Sequence, residues 1–102
     1  MSIFTLRNPN FEARIRDSFA RQTFLETVGA TLGMIEPGRV EIEASFDANI
    51  TQQHGFIHGG VVGAIADSAA GYAAYSLMDA KDSVLTVEYK LNLLVPAKGE
   101  RI

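Results

Sequence analysis

The chain has 102 residues, and residues 1–102 are read as one domain. Apolar residues make up 47% and charged residues 21%, which excludes a disordered or fibrous chain. A net charge of −3 argues against a nucleic-acid partner, and the absence of Cys excludes disulfides, thiolate metal sites and a cysteine nucleophile.

The N-terminal stretch lacks the apolar core of a secretory signal, so a cytoplasmic address is expected. Asn8-Pro9 predicts a helix start, with Asn8 as N-cap and Pro9 at the first helical position. Phe11, Ile15 and Phe19 then recur every four residues, the spacing of one helix face, ending near Arg21 or Gln22. Residues 27–36 read as an irregular strand. Pro37-Gly38 suits the centre of a type II turn. Val40, Ile42, Ala44 and Phe46 alternate with Glu41, Glu43 and Ser45, so a half-buried strand completes a hairpin.

Residues 47–57 are polar and read as a loop. Residues 59–78 are almost free of charge. They match a membrane span in length, but Asp67 near the middle and the many Ala and Gly residues favour a helix buried inside a protein, with no membrane partner. After a polar turn at 79–82, Leu85, Val87, Tyr89, Leu91 and Leu93 alternate with polar residues and predict the clearest strand of the chain. Pro96 and Gly99 end it, and residues 100–102 begin another. The order of elements predicts an α+β architecture with a sheet packed on a central helix.

The informative stretch is Gln52-Gln53-His54-Gly55-Phe56-Ile57-His58-Gly59-Gly60, followed by Asp67. Gly59 and Gly60 open the helix, where unpaired N–H groups can hold an oxyanion. Asp67 is the only residue of the helix charged at neutral pH, suited to act as a general base on water or as a nucleophile. Each feature has a structural alternative: close helix–sheet packing for the glycines, a backbone-capped carboxylate for Asp67. Gly63 and Gly71 flank Asp67 at four positions on either side, a strip of small residues that admits a ligand, a second helix or the sheet.

Gly59 and Asp67 stand eight residues apart on one helix, which separates them by roughly 12 Å. One carbonyl cannot touch both. A shared site therefore predicts a two-fold dimer with antiparallel central helices, Gly59 of one chain meeting Asp67 of the other. His54 and His58 are four apart, but glycines interrupt any helix there and no Glu lies between them, so no metal site is expected. His58 is expected to hydrogen-bond locally and shape the loop. Thr86, on the strand face opposite Leu85 and Val87, offers a hydroxyl or simple β propensity.

At this point the stretches QQHGFIHGGVVGAIADSAAGYAA and VLTVEYKLNLLVPAKGE resemble the hotdog-fold acyl-CoA thioesterases of the phenylacetate-pathway type. The resemblance implies a curved antiparallel sheet wrapped around one long central helix. It implies that the Gly59 N–H polarises the thioester carbonyl, that Asp67 of the partner chain is base or nucleophile, and that Gln52 positions substrate or water. It also implies that Thr86 orients Asp67 or the water. His58, Gly60, Gly63 and Gly71 are the expected substrate-binding residues. No cofactor is implied beyond the coenzyme A of the substrate. The implied partners are an acyl-CoA with a small aromatic or medium-chain acyl group and further copies of the chain, as homodimer and homotetramer. Family members pair the strand after the helix with its copy and carry further strands beyond the position of Ile102, so the chain is expected to lack the C-terminal strands. Two rival functions are a non-catalytic acyl-CoA-binding module and a hotdog dehydratase or hydratase.

Overall fold

The computed structural model describes residues 3–102. Helix α1, Phe11–Ala20, buries Ile15 completely, with Phe11 and Phe19 packed against the same core. Its N-cap is Asn10, two residues later than the sequence predicts. The reason is local: the Asn8 side-chain oxygen accepts the Asn10 N–H at 3.0 Å, so Asn8 closes a turn instead of capping a helix. A short helix the sequence does not signal, α2 (Thr23–Thr27), follows and buries Leu25. It has no side-chain cap.

Strands β1 (Ala30–Glu36) and β2 (Arg39–Ala44) form the expected hairpin, with Glu36 opposite Arg39 and Ala30 opposite Ala44. The register slips between Leu32 and Ile35, where Gly33 and Met34 together face Glu41, a β-bulge. Gly38 sits at φ +78°, as the second central position of a type II turn requires. Val40, Ile42 and Ala44 are buried, and Phe46 beyond them is exposed. Residues 100–102 pair with the free edge of β2: Ala44 and Ile102 exchange backbone hydrogen bonds at 3.0 and 2.9 Å. The strand start expected there is present as this bridge.

Helix α3, Gly59–Tyr75, packs on β2 with Val61, Gly63, Ile65 and Tyr72 buried. Ser76, fully buried, ends it: its hydroxyl donates to the Ala73 carbonyl and accepts the Gly38 N–H at 2.7 Å, tying the hairpin turn to the helix end. The helix is not buried all round, as its composition suggests. Gly60, Ala66, Ala70 and Ala74 are exposed. No described helix is long and apolar enough to cross a membrane.

The strand predicted over 83–94 is the main correction. Among the described residues it has no ladder partner, and Leu85 and Val87 are 89% and 95% exposed. The segment runs antiparallel along α3: Val84 lies at Gly71, Thr86 at Asp67, Tyr89 and Leu91 at Gly63, and Leu93 at Gly59. Alternating side chains specify two faces, but a strand also needs a neighbour to accept its backbone bonds.

Candidate active site

His58 opens α3. Its Nδ1 accepts the Gly60 N–H at 2.8 Å, so the imidazole is the N-cap side chain. The His58 carbonyl takes the N–H groups of Val61 and Val62 at 2.9 and 3.3 Å. That leaves the Gly59 N–H as the donor of the first turn with no acceptor among the described residues. His58 thus occupies Gly60 and leaves Gly59 open.

The loop before the helix is organised by Gln52. Its side-chain oxygen accepts the N–H of His54 at 2.6 Å and of Phe56 at 3.3 Å, while its own N–H donates to the Phe56 carbonyl at 2.9 Å. The loop is pinned further by the His58 N–H on the Ile50 carbonyl and the Ile57 N–H on the Ala97 carbonyl. Gly55 at φ +83° allows the tight reversal between them.

Two turns along α3, Asp67 is half-buried and its Oδ1 accepts the Thr86 hydroxyl at 2.7 Å. Asp67 therefore lines an open cleft; it is not sealed in an apolar wall. This cleft, of about 430 Å³, also contains Thr86, Gly71, Tyr72 and, from α1 and its C-terminal end, Ser18 and Gln22. Gln22 donates to the Tyr72 hydroxyl at 2.6 Å, and the Ser18 and Tyr72 hydroxyls are 3.0 Å apart. Gly59 and Gln52 line a second cleft of similar size, together with His54, Phe56, Val62 and residues 93–97.

The sequence-predicted residues are thus sorted into two groups. Asp67, Thr86 and Gly71 meet in one cleft, Gln52 and Gly59 in the other. Gly60 is held by His58, and Gly63 is buried beneath Tyr89 and Leu91. The strip of small residues is covered along this side by the chain's own residues 84–93. Sequence reasoning misses the polar wall from α1, because nothing local relates Ser18 and Gln22 to a tyrosine 50 residues away or more. Nor does it relate Arg14 of α1 to the turn at 79–82, whose Asp79 and Asp82 carbonyls its guanidinium donates to.

The sequence profile of the thioesterase superfamily matches residues 54–102, the part that contains His58, Gly59, Asp67 and Thr86. A thioesterase family protein from Silicibacter pomeroyi is 53% identical, with a TM-score of 0.87, covering 89% of this chain and 67% of that one. A Saccharolobus solfataricus protein that carries a provisional esterase name is 30% identical over 84% of this chain and 57% of its own length. The PaaI protein from the phenylacetic acid degradation operon of E. coli is 19% identical with a TM-score of 0.69, over 95% of this chain and 68% of that one, a likeness of fold. The chain spans about half the length of the curated relatives it matches. The helix against a sheet, the capped His-Gly-Gly entry and these relatives agree on the hotdog fold: the chain belongs to the thioesterase superfamily.

Proposed function

We propose that this chain hydrolyses the thioester of an acyl-CoA, releasing the free acid and coenzyme A, in a cytoplasmic homodimer that can pair further into a tetramer. One observation carries the reading: Gly59, whose N–H has no acceptor among the described residues, lines one cleft, and the Thr86-bound Asp67 carboxylate lines the other. Two turns of helix separate them, so a single chain cannot apply both to one carbonyl. Antiparallel α3 helices across a two-fold axis bring Gly59 of one protomer to Asp67 of its partner.

In that arrangement Asp67 takes a proton from water, and the hydroxide adds to the thioester carbon. The tetrahedral oxyanion rests on the Gly59 N–H. Collapse breaks the C–S bond, and the leaving thiolate takes the proton back from Asp67. Direct attack by Asp67 instead breaks the C–S bond to give a mixed anhydride and a coenzyme A thiolate that is protonated by water; water then cleaves the anhydride to the free acid and the Asp67 carboxylate. Thr86 holds the carboxylate in either case. Gln52, through the loop it organises, shapes the approach to Gly59. Gly71, in the cleft beside Asp67, keeps a side chain off the wall where the acyl group lies, while Gly63 lies beneath Tyr89 and Leu91. Small aromatic and medium-chain acyl groups are the expected substrates.

The separate clefts favour a second reading for an isolated chain, which would bind acyl-CoA without cleaving it. The dehydratase reading is disfavoured, because the His58 Nδ1 is committed to the helix cap. A thiol-release assay over a panel of acyl-CoAs, with Asp67→Ala beside the wild type, separates these functions. Hydrolysis should fall by about 10²-fold or more in the variant while acyl-CoA binding persists. Unchanged hydrolysis refutes the role of Asp67. Saturable binding with no thiol release from any acyl-CoA refutes the hydrolase.

A further inference from the structure

Thr86 reaches Asp67 from a segment that side chains alone hold against α3. Between residues 83 and 96 no backbone group hydrogen-bonds the rest of the described chain. The segment is tied at its far end by the Ala97 carbonyl and at its near end by the turn at 79–82, where the Asp82 N–H donates to the Asp79 carbonyl at 3.0 Å. That turn is gripped by one side chain. Arg14 of α1, half-buried, donates from Nη1 to the Asp79 carbonyl at 3.0 Å and from Nη2 to the Asp82 carbonyl. Its guanidinium also lies over the Tyr75 ring, 4.1 Å from the centroid.

This fork spans both ends of the turn and registers it against the last turn of α3. A lysine offers a point charge and cannot bridge two carbonyls while lying flat on a ring. Thr86 follows Asp82 by four residues, a reach of at most about 14 Å. The position of the turn therefore limits where the Thr86 hydroxyl can lie.

We propose that Arg14 is a positioning residue for the Asp67–Thr86 pair, acting from α1 through the turn at 79–82. The kinetic part of its test rests on the hydrolase reading above, and the spectroscopic part does not. Arg14→Ala and Arg14→Lys are compared with Thr86→Ala and with the double variant Arg14→Ala/Thr86→Ala. Each Arg14 variant should lower kcat by roughly fivefold or more with KM within about twofold. The double variant should lose no more than Thr86→Ala alone, because Arg14 acts through Thr86. Losses that multiply, or a loss confined to KM, overturn the proposal. Arg14→Lys keeps the charge and the stem, and serves where Arg14→Ala does not fold. Independently of turnover, a nuclear Overhauser contact between the Thr86 methyl and the Asp67 β protons should be present in the wild type and in Glu12→Gln, which breaks only the exposed ion pair of Glu12 with Arg16 on α1. It should vanish in Arg14→Lys. Its persistence overturns the proposal even in a protein that cleaves no thioester.

Discussion

The Thr86 hydroxyl donates to the Asp67 carboxylate at 2.7 Å, joining residues 19 apart in sequence across the face of α3. This bond holds one carboxylate oxygen and fixes which oxygen is free to act. Thr86→Val removes the donor at nearly constant shape. A hydrogen bond to a charged group is worth about 1.5–3 kcal/mol, so kcat should fall roughly 10- to 100-fold. Thr86→Ser should retain most of the rate. Steady-state thiol release on the three proteins checks this, and equal rates for Val and Thr would remove Thr86 from the mechanism.

The His58 imidazole caps α3 through its Nδ1. His58→Ala should cost about 1 kcal/mol of stability, read as a lower urea midpoint at unchanged slope. His58→Asn should recover most of it, since an amide oxygen caps the same N–H. An alanine variant as stable as the wild type would mean that the bond to Gly60 contributes nothing.

Gly71 separates stability from binding. A Cβ there would lie 3.8 Å from a Val84 methyl, an ordinary contact, while replacing a mid-helix glycine by alanine gains up to about 1 kcal/mol. Gly71 also lines the cleft beside Asp67. Gly71→Ala should raise the melting temperature and raise KM for the bulkier acyl-CoAs. A higher melting temperature with KM unmoved for every substrate would place the acyl group elsewhere.

Gly38 answers to both conformation and space. At φ +78° an L side chain is strained, and a Cβ would come within 2.7 Å of the Phe4 ring. Gly38→Ala should cost about 1–2 kcal/mol or more. Equilibrium denaturation measures it. A neutral effect would show that the turn relaxes to another type without loss of the Ser76 contact.

Several elements were legible without coordinates. The spacing of Phe11, Ile15 and Phe19 identified the buried face of α1, and the alternation from Val40 to Ala44 with Pro37-Gly38 before it identified the hairpin. Both patterns are periodic and local. The start of α1 was misplaced because an asparagine serves a cap and a turn equally well, and only the geometry around Asn8 and Asn10 distinguishes them. Helix α2 was invisible because five residues without a cap carry no period. Residues 83–94 showed a strand's alternation yet pair with nothing among the described residues, since a ladder belongs to two segments and a sequence displays one.

The candidate site divides along the same line. His-Gly-Gly before a run of small residues and a lone Asp67 inside it marked the helix entry and the chemical group, because both depend on residue type and spacing. Which N–H stays open did not follow from spacing: His58 takes Gly60 and leaves Gly59. Nor did the grip of Arg14 on the turn at 79–82. The eight-residue spacing already separates Gly59 from Asp67, and a role for Thr86 beside Asp67 came from the family resemblance, but the cleft that each of them lines is set by the fold. A chain of 102 residues writes its local preferences in order, and so its composition, its central helix and the single carboxylate within that helix could be read directly. Contacts between distant residues arise only when burial of the core brings the elements together, and those contacts decide which groups remain available for chemistry.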